Sequence, residues 1–441
     1  MKVAIFGMGY VGLSLGVFLS SKGIDVDFTD VDAVKIRKFI EGETIIEEPI
    51  VTEILKTKKN MRATTFEKSL EDASLAFICV GTPSSDSGHI NLKYVEECFD
   101  TITLLKPYIT IVIKSTVIPG TTRNLVQKLK NSPEREDDPM FSAVIFNPEF
   151  LREGSSWEDM EHPDRIVIGE DSESGPNGEG TTELTMLYLQ VYGTNIPKMI
   201  YTNTVNAEMI KYASNAFLAT KISFMNEMAS VCEMTAGADI KEVQRGMELD
   251  RRISPHFLNA GLGYGGSCFS KDIDALVAEY PYLDMLDAVS TINLAQRTVP
   301  WSVFSRHYDC YTGENNYEVA VLGLAFKPGT DDMRDAPSID IIRDFLGHGA
   351  KVRVYDPKAM NNAKKIFGDE VTYASDKLNC IEGADFVVLV TEWDIFKIMD
   401  ATLFKKYMRN PVVFDGRRIY NPGEMKRAGV KYYGVGYSEE Q

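Results

Sequence analysis

A basic surface is missing from this chain. Its 441 residues carry a formal net charge of −17 at pH 7. Nucleic acid and anionic membranes both call for positive charge, so neither is an expected partner. An anionic ligand would have to be held by local cations. No apolar run reaches the 18 or so residues of a membrane span. The opening residues lack a signal-peptide layout; their apolar stretch breaks at once into glycines and reads as a strand. The six cysteines, Cys79, Cys98, Cys232, Cys268, Cys310 and Cys380, form no C-x-x-C pair and no zinc spacing. No metal is therefore expected, and the thiols read as reduced, in a cytoplasmic protein. Apolar and charged fractions of 44% and 25% are ordinary for a globular chain, and the length suits two or three domains.

What is present begins at the N-terminus. Lys2 to Phe6 is a short apolar run without helical period, so it reads as a buried strand. Gly7-Met8-Gly9-Tyr10-Val11-Gly12 follows, then a helical pattern from Leu13 to Lys22. A second strand ends at Asp30. Gly7 permits a tight turn, Gly9 lets backbone touch a pyrophosphate, and Gly12 lets the helix pack close. The helix N-terminus takes the phosphate charge. Asp30 can accept from an adenosine ribose and would repel a 2′-phosphate, which favours NAD over NADP. Lys35 reads equally as a cofactor contact and as a solvated lysine.

Further strands end in loops that carry chemistry: Val80 to Pro83 with Thr82, Ser115-Thr116-Val117, and Asn147 to Gly154 with Glu149 and Glu153. In an open parallel sheet ligands bind beyond the carboxyl ends of the strands, so Thr82, Thr116, Glu149 and Glu153 fall on the cofactor rim. Glu149 and Glu153 share a face if their segment is helical; either also reads as a surface carboxylate. Residues 131–139 and 171–182 read as surface loops.

A long helix is expected from Val205 to Ala236, with Ile210, Ala213 and Phe217 as its core side. Its exposed side is a natural dimer surface. Lys211 and Asn215 lie four apart on one face, where such residues are usually solvated. Asp239 and Glu242 mark a helix start, and Asn293 to Val303 reads as helical. Between them stands Gly261-Leu262-Gly263-Tyr264-Gly265-Gly266-Ser267-Cys268-Phe269-Ser270-Lys271-Asp272. The glycines let backbone approach a ligand. Cys268 then falls near a helix N-terminus, which favours thiolate. A tight turn with a buried structural cysteine is the equal alternative.

After a linker at residues 311–316, the chain repeats its opening logic. Strand Glu318 to Leu324, a helix from Pro337 to Leu346 and a strand ending at Asp356 again give strand, helix, strand, acid, without a second dinucleotide fingerprint. Lys327 and Arg417 fall at strand ends, where they could meet an anionic nucleotide. The expected fold is α/β, with two doubly wound Rossmann-like halves joined by a long central helix and a helical linker domain.

The ordered blocks Gly7–Gly12, Val80–Pro83, Ser115–Val117, Asn147–Gly154, the Lys211/Asn215 helix, Gly263–Asp272, Phe326–Arg334 and Asp415–Arg417 resemble the UDP-glucose/GDP-mannose dehydrogenases over essentially the whole chain. The resemblance implies a NAD-binding domain at 1–200, a central helical and dimerisation domain at 201–310, and a UDP-sugar-binding domain at 311–441. It implies NAD-dependent four-electron oxidation of a nucleotide sugar, with UDP-glucose expected and GDP-mannose or a UDP-N-acetylhexosamine as alternatives. A silent NAD-binding regulatory protein is the competing class. The resemblance makes Cys268 the nucleophile, with Lys211 and Asn215 stabilising an oxyanion, Asp272 and Thr116 positioning water, and Glu149 as general base. It places Gly7, Gly9, Tyr10, Val11, Gly12, Asp30, Lys35, Thr82, Thr116, Glu153, Lys271 and Arg334 around NAD. It places Glu149, Phe150, Leu151, Arg152, Glu153, Lys211, Asn215, Phe257, Leu258, Asn259, Ala260, Gly261, Gly265, Lys327 and Arg417 around the sugar nucleotide, with Arg252 contributed by a second subunit. The resemblance thus implies a homodimer or higher homo-oligomer. Ser270 departs from the family, where a proline often precedes the lysine.

Overall fold

The computed structural model describes residues 1–438 apart from 45, 47, 58, 86, 132–142, 172–177 and 309–316. The chain forms two compact units, Met1–Ser214 and Asn215–Gln441. The first contains β1 (Lys2–Phe6), β2 (Asp25–Thr29), β3 (Met61–Ala63), β4 (Leu75–Ile78), β5 (Thr110–Ile113), β6 (Val144–Phe146), β7 (Arg165–Glu170) and β8 (Lys198–Thr202). Their order is β3-β2-β1-β4-β5-β6-β7-β8. Every pairing is parallel except β6 with β7. Strands β1, β4, β5 and β6 are apolar without alternation because helices cover both faces of the sheet. Val3 and Ile5 of β1 enter one core with Phe18 and Phe28; Ala4 and Phe6 enter the other with Phe99 and Ile113. Each buried phenylalanine contributes about 1.5–3 kcal/mol.

The second unit contains β9 (Glu318–Leu322), β10 (Lys351–Tyr355), β11 (Thr372–Tyr373), β12 (Phe386–Leu389), β13 (Val412–Asp415) and β14 (Lys431–Gly434). The order is β11-β10-β9-β12-β13-β14, parallel throughout. Both sheets therefore reverse strand order beside their first strand, the place where a doubly wound sheet opens a ligand crevice.

The helix Thr204–Glu233 begins in the first unit and ends in the second. Of the three residues expected on its core side, Ile210 does pack against the core, and the other two do not. Ala213 and Phe217 are exposed, Phe217 by 63%. Glu208, Lys211, Asn215, Ser223 and Asn226 are buried, alongside Tyr212, Ala216 and Ala219. The inward stripe is polar because those groups find partners on other segments: Glu208 accepts from Thr122 N at 2.8 Å, Ser223 donates to the Val289 carbonyl at 3.0 Å, Asn226 accepts from Gly261 N at 2.8 Å, and Lys211 and Asn215 meet Glu149 and Asp272. Three other expectations need correction. Residues 293–303 are not one helix: Asp284–Arg297 ends at Thr298, and Val299–His307 restarts with Pro300 in its first turn. The segment 171–182 is not all loop, since the helix Glu179–Tyr192 begins inside it. Glu149 and Glu153 do not share a helical face, because residues 147–152 form neither helix nor strand and a turn follows. The expected loop 131–139 and linker 311–316 lie outside the described residues, apart from Asn131.

Candidate active site

The fingerprint loop joins β1 to helix Tyr10–Ser21. Gly7 has φ +98°, and a side chain there would meet the Cys79 carbonyl carbon and oxygen within 2.8 Å. A Cβ on Gly12 would lie 1.9 Å from the Gly7 carbonyl oxygen. The fold itself requires both. Gly9 differs: φ is −77° and nothing lies within 4 Å of a built Cβ. Its missing side chain is explained by a ligand that comes close to the backbone. Asp30 accepts from Met8 N at 2.6 Å, Asp32 N at 2.8 Å and Lys35 Nζ at 3.2 Å. A carboxylate has about four acceptor sites, so one remains for a ribose hydroxyl. The loop thus fits a dinucleotide. Tyr10 leaves this loop and donates to Glu48 and to the Arg152 carbonyl. Glu48 also accepts from Ser156 N and Trp157 N. The glycine turn is thereby tied to the Asn147–Gly154 segment. Val11, Thr82, Thr116 and Glu153 are all partly buried.

Beyond β6 the chain builds a buried charge cluster. Lys211 Nζ donates to the Glu149 carbonyl and to its Oε1, both at 2.8 Å. Leu151 N donates to Glu149 Oε2 at 2.6 Å. Burial alone would raise the Glu149 carboxyl; the Lys211 charge and hydrogen bond outweigh it and hold the group below its usual range. Lys114, at the end of β5, donates to Asn147 Oδ1 at 3.0 Å. Asn147 also accepts from Tyr188 and donates to the Val167 carbonyl at 2.7 Å. Burial pushes Lys114 down to about 8. Phe150 lies under Arg165, 4.0 Å from the guanidinium, and Arg152 is exposed and paired with Asp159. A cavity of about 110 Å³ lies among Phe150, Leu151, Met160, Tyr188 and Tyr192.

In the second unit the glycine stretch runs against the loops that follow the strands. A Cβ on Gly261 would lie 2.7 Å from the Arg417 guanidinium, on Gly265 2.3 Å from the Asp335 carbonyl, and on Gly266 3.0 Å from the Phe326 ring. Gly261 therefore packs on Arg417 and Gly266 on Phe326, with Lys327 over the Phe326 ring at 5.6 Å. Arg417 donates to the Val390 carbonyl at 2.6 Å and pairs with Glu392 at 3.3 Å. Cys268 is exposed and is the N-cap residue of helix Phe269–Glu279. Cys79, Cys98, Cys232 and Cys380 are buried, and burial pushes the thiols of Cys79 and Cys380 up to about 12. Among the described cysteines only Cys268 has the exposure and the helix dipole that a reactive thiol needs. One turn into that helix, Asp272 is buried and accepts from Asn215 Nδ2 at 2.7 Å, while Lys271 pairs with it at 3.4 Å. Arg334 is exposed and pairs with Asp332.

The Arg252 side chain is 89% exposed and pairs with the neighbouring Asp250. Asn259 accepts from Lys241 and Gln244. Leu258 and Ala260 are buried, and Phe257 stands edge-on to Phe269 at φ +62°. Lys114, Glu48, Asn226, Asn293 and Arg297 were not singled out from sequence. A lysine closing the apolar run of β5 was the one visible signal. The acid after β10 takes no part in a dinucleotide site. Asp356 is 1% exposed and accepts from Leu324 N, Ala325 N and Trp393 Nε1, so its charge is used within the fold.

One unit carries a dinucleotide loop and the other an exposed helix-capping cysteine beside a cation-lined glycine backbone. Together these define a nicotinamide-dependent oxidoreductase built from two Rossmann-like units. The sequence matches the NAD binding domain of the UDP-glucose/GDP-mannose dehydrogenase family over residues 1–190, its central domain over 205–295 and its UDP binding domain over 320–422. It is 39% identical to UDP-glucose 6-dehydrogenase YwqF of Bacillus subtilis, covering 99% of this chain and 98% of that one. It is 38% identical to a UDP-glucose 6-dehydrogenase of Pseudomonas aeruginosa, covering 99% and 97%. A UDP-glucose dehydrogenase from Pyrobaculum islandicum superposes with a TM-score of 0.86 at 33% identity over 99% of this chain and 98% of the other. A UDP-D-ManNAc dehydrogenase from Pyrococcus horikoshii does so with 0.85 at 26%, over 99% of each. The chain belongs to the UDP-glucose/GDP-mannose dehydrogenase family. NAD is its cofactor, and no helix among the described residues is long and apolar enough to cross a membrane.

Proposed function

We propose that this chain oxidises UDP-glucose to UDP-glucuronate through covalent intermediates on Cys268. The observation that carries the reading is Cys268 itself, exposed at a helix N-terminus at the end of a glycine stretch that lines up Arg417 and Lys327. NAD supplies the hydride acceptor for each of the two oxidations. The Cys268 thiolate adds to the sugar aldehyde, giving a thiohemiacetal whose oxidation leaves a thioester, which water cleaves. The Lys211 ammonium and the Asn215 amide stabilise the oxyanion of each adduct. Glu149, ionised by its Lys211 pairing, receives the proton of the attacking water, and Asp272 and Thr116 orient that water. Gly7 to Gly12, Asp30, Lys35, Thr82, Glu153, Lys271 and Arg334 hold NAD. Phe150 to Glu153, Phe257 to Gly261, Gly265, Lys327 and Arg417 hold the nucleotide sugar, whose diphosphate draws on the two cations.

By this reading residues 1–200 serve NAD, 201–310 link and dimerise, and 311–441 serve the UDP-sugar, in a cytoplasmic protein. Phe217, Phe224 and Val231 are 63%, 45% and 47% exposed at seven-residue spacing on the helix Thr204–Glu233. That apolar stripe is assigned to a second copy of the chain, whose substrate site Arg252 completes. The Pyrococcus horikoshii likeness supports a second reading in which the same chemistry acts on a UDP-N-acetylhexosamine. UDP-glucose is favoured because curated relatives at 37–39% identity over 99% of the chain carry that name.

The test is turnover of purified protein on a panel of nucleotide sugars with NADH counted. About two NADH are expected per UDP-glucose consumed. One NADH per sugar, with aldehyde accumulating, would sink the covalent route. Cys268→Ser should stop the reaction short of UDP-glucuronate by at least roughly a thousandfold.

A further inference from the structure

The peptide chain leading into Cys268 has almost no side chains with which to hold itself in place. It is gripped from outside by two residues one turn apart on helix Asp284–Arg297. Asn293 and Arg297 are 3% and 4% exposed. Asn293 Oδ1 accepts from Tyr264 N at 2.8 Å, and its Nδ2 donates to the Tyr264 carbonyl at 3.2 Å. Both backbone polar groups of one residue are thus read by a single amide. A Cβ on Gly263, at φ +92°, would lie 2.7 Å from that same Asn293 oxygen. Arg297 adds a second grip on the Tyr264 carbonyl, at 3.0 Å.

The guanidinium then reaches onward. Arg297 donates to Asp335 Oδ1 at 2.8 Å, to the Asp335 carbonyl at 3.3 Å and to Asp340 Oδ2 at 2.6 Å. Asp335 Oδ2 accepts from Ser270 Oγ, in the first turn of the helix that Cys268 caps. Gly266 N donates to the Arg334 carbonyl at 2.9 Å. Cys268 therefore stands between two anchored points. Tyr264 is held before it by Asn293 and Arg297, and Ser270 is held after it through Asp335. Burial pulls the Arg297 guanidinium down, but Asp335 and Asp340 outweigh it and keep the fork charged. Ser270 supplies the last link.

We propose that Asn293 and Arg297, acting through Asp335 and Ser270, are positioning residues that fix the Cys268 thiol at the N-terminus of its helix. The inference rests on the reading of Cys268 as nucleophile. It concerns how the thiol is placed, so its test is a property of the thiol as well as of turnover. In Arg297→Lys the charge stays but the planar fork is lost, so Tyr264, Asp335 and Asp340 can no longer be held at once. kcat should fall by roughly ten- to a hundredfold, the scale set by an ångström of misplacement, while both KM values change by less than about threefold. Iodoacetamide alkylation of Cys268, followed on its tryptic peptide by mass spectrometry, should slow at neutral pH and shift its profile to higher pH as the thiol loses the helix terminus. Ser270→Ala removes one link and should move alkylation the same way by about twofold or more. Wild-type alkylation rate and pH profile in Ser270→Ala, or in a folded Arg297→Lys, overturn the proposal. If the unsubstituted protein oxidises no nucleotide sugar, the proposed activity fails, and the alkylation comparison still decides the role of the clamp.

Discussion

Two glycines three residues apart should respond to alanine in opposite ways. A Cβ on Gly12 would sit 1.9 Å from the Gly7 carbonyl oxygen, and real Cβ contacts do not fall below 3.0 Å. Backbone must therefore move by about 1.1 Å, either in the turn or in helix Tyr10–Ser21. Overpacking of this kind costs about 1–3 kcal/mol. For a unit of this size each kcal/mol lowers Tm by about 2–4 °C, so Gly12→Ala should melt some 2–12 °C early. Gly9 has open space and φ −77°, which alanine adopts freely. Its replacement weakens only the helix cap, by at most about 1 kcal/mol. In the bound state, however, the new methyl group occupies the ground that a pyrophosphate oxygen needs. Losing even one charge-assisted bond there is worth about 1.5–3 kcal/mol, so Gly9→Ala should weaken NAD roughly 10- to 150-fold at near-native Tm. Calorimetric NAD titration and thermal melting of both variants measure the two effects separately. Native NAD affinity in Gly9→Ala would refute the argument that this glycine serves a ligand.

Lys114 gives a stability prediction with a definite sign. Its pKa is pushed down to about 8 in the folded protein, against an ordinary value of 10.5, because burial, helped by the Lys211 charge, outweighs Cys79 and Glu149, which act to raise it. Between those values the unfolded chain binds more protons, so this group makes the fold more stable as pH rises from 8 towards 10.5. The full effect is about 3 kcal/mol. Urea midpoints at pH 7 and pH 10 should therefore converge between the protein and Lys114→Met in a way that a neutral side chain cannot reproduce; parallel pH dependence in the two would refute it. Phe224→Asp places a charge in the exposed apolar stripe of the helix Thr204–Glu233. It should lower the oligomeric state seen by light scattering at micromolar concentration while leaving Tm of the monomer within about 1–2 °C, since surface changes cost about 0.5 kcal/mol or less. An unchanged mass would move the interface elsewhere.

Much of the first unit could be read along the chain. Strand, glycine turn, helix, strand and Asp30 are neighbours in sequence, and each is set by local backbone freedom or by a short apolar run. Asp30 accepting from Met8 N follows from that local order. The N-cap position of Cys268 was legible for the same reason, because Phe269–Glu279 carries its own helical pattern. The repeat of strand, helix, strand and acid around Asp356 was legible as topology. What Asp356 does with its charge was not, because Trp393 reaches it from 37 residues away.

The helix Thr204–Glu233 shows where local reading stops. Its length and approximate ends follow from periodicity, yet Ala213 and Phe217 face out and a polar stripe faces in. Lys211 is buried because Glu149 meets it from 62 residues away, and Asn215 because Asp272 meets it from 57. Phe217 is exposed although apolar. Residue type sets the cost of burying a group; only the fold decides whether a partner arrives to offset that cost. The same holds for Arg297, an unremarked arginine in sequence, whose partners Tyr264, Asp335 and Asp340 lie 33 or more residues away. The chain order thus indicated most of the elements and where a glycine fingerprint and a helix-capping thiol stand. The pairing of charges that keeps Lys211, Asn215 and Arg297 inside arose from contacts that no spacing along the chain encodes.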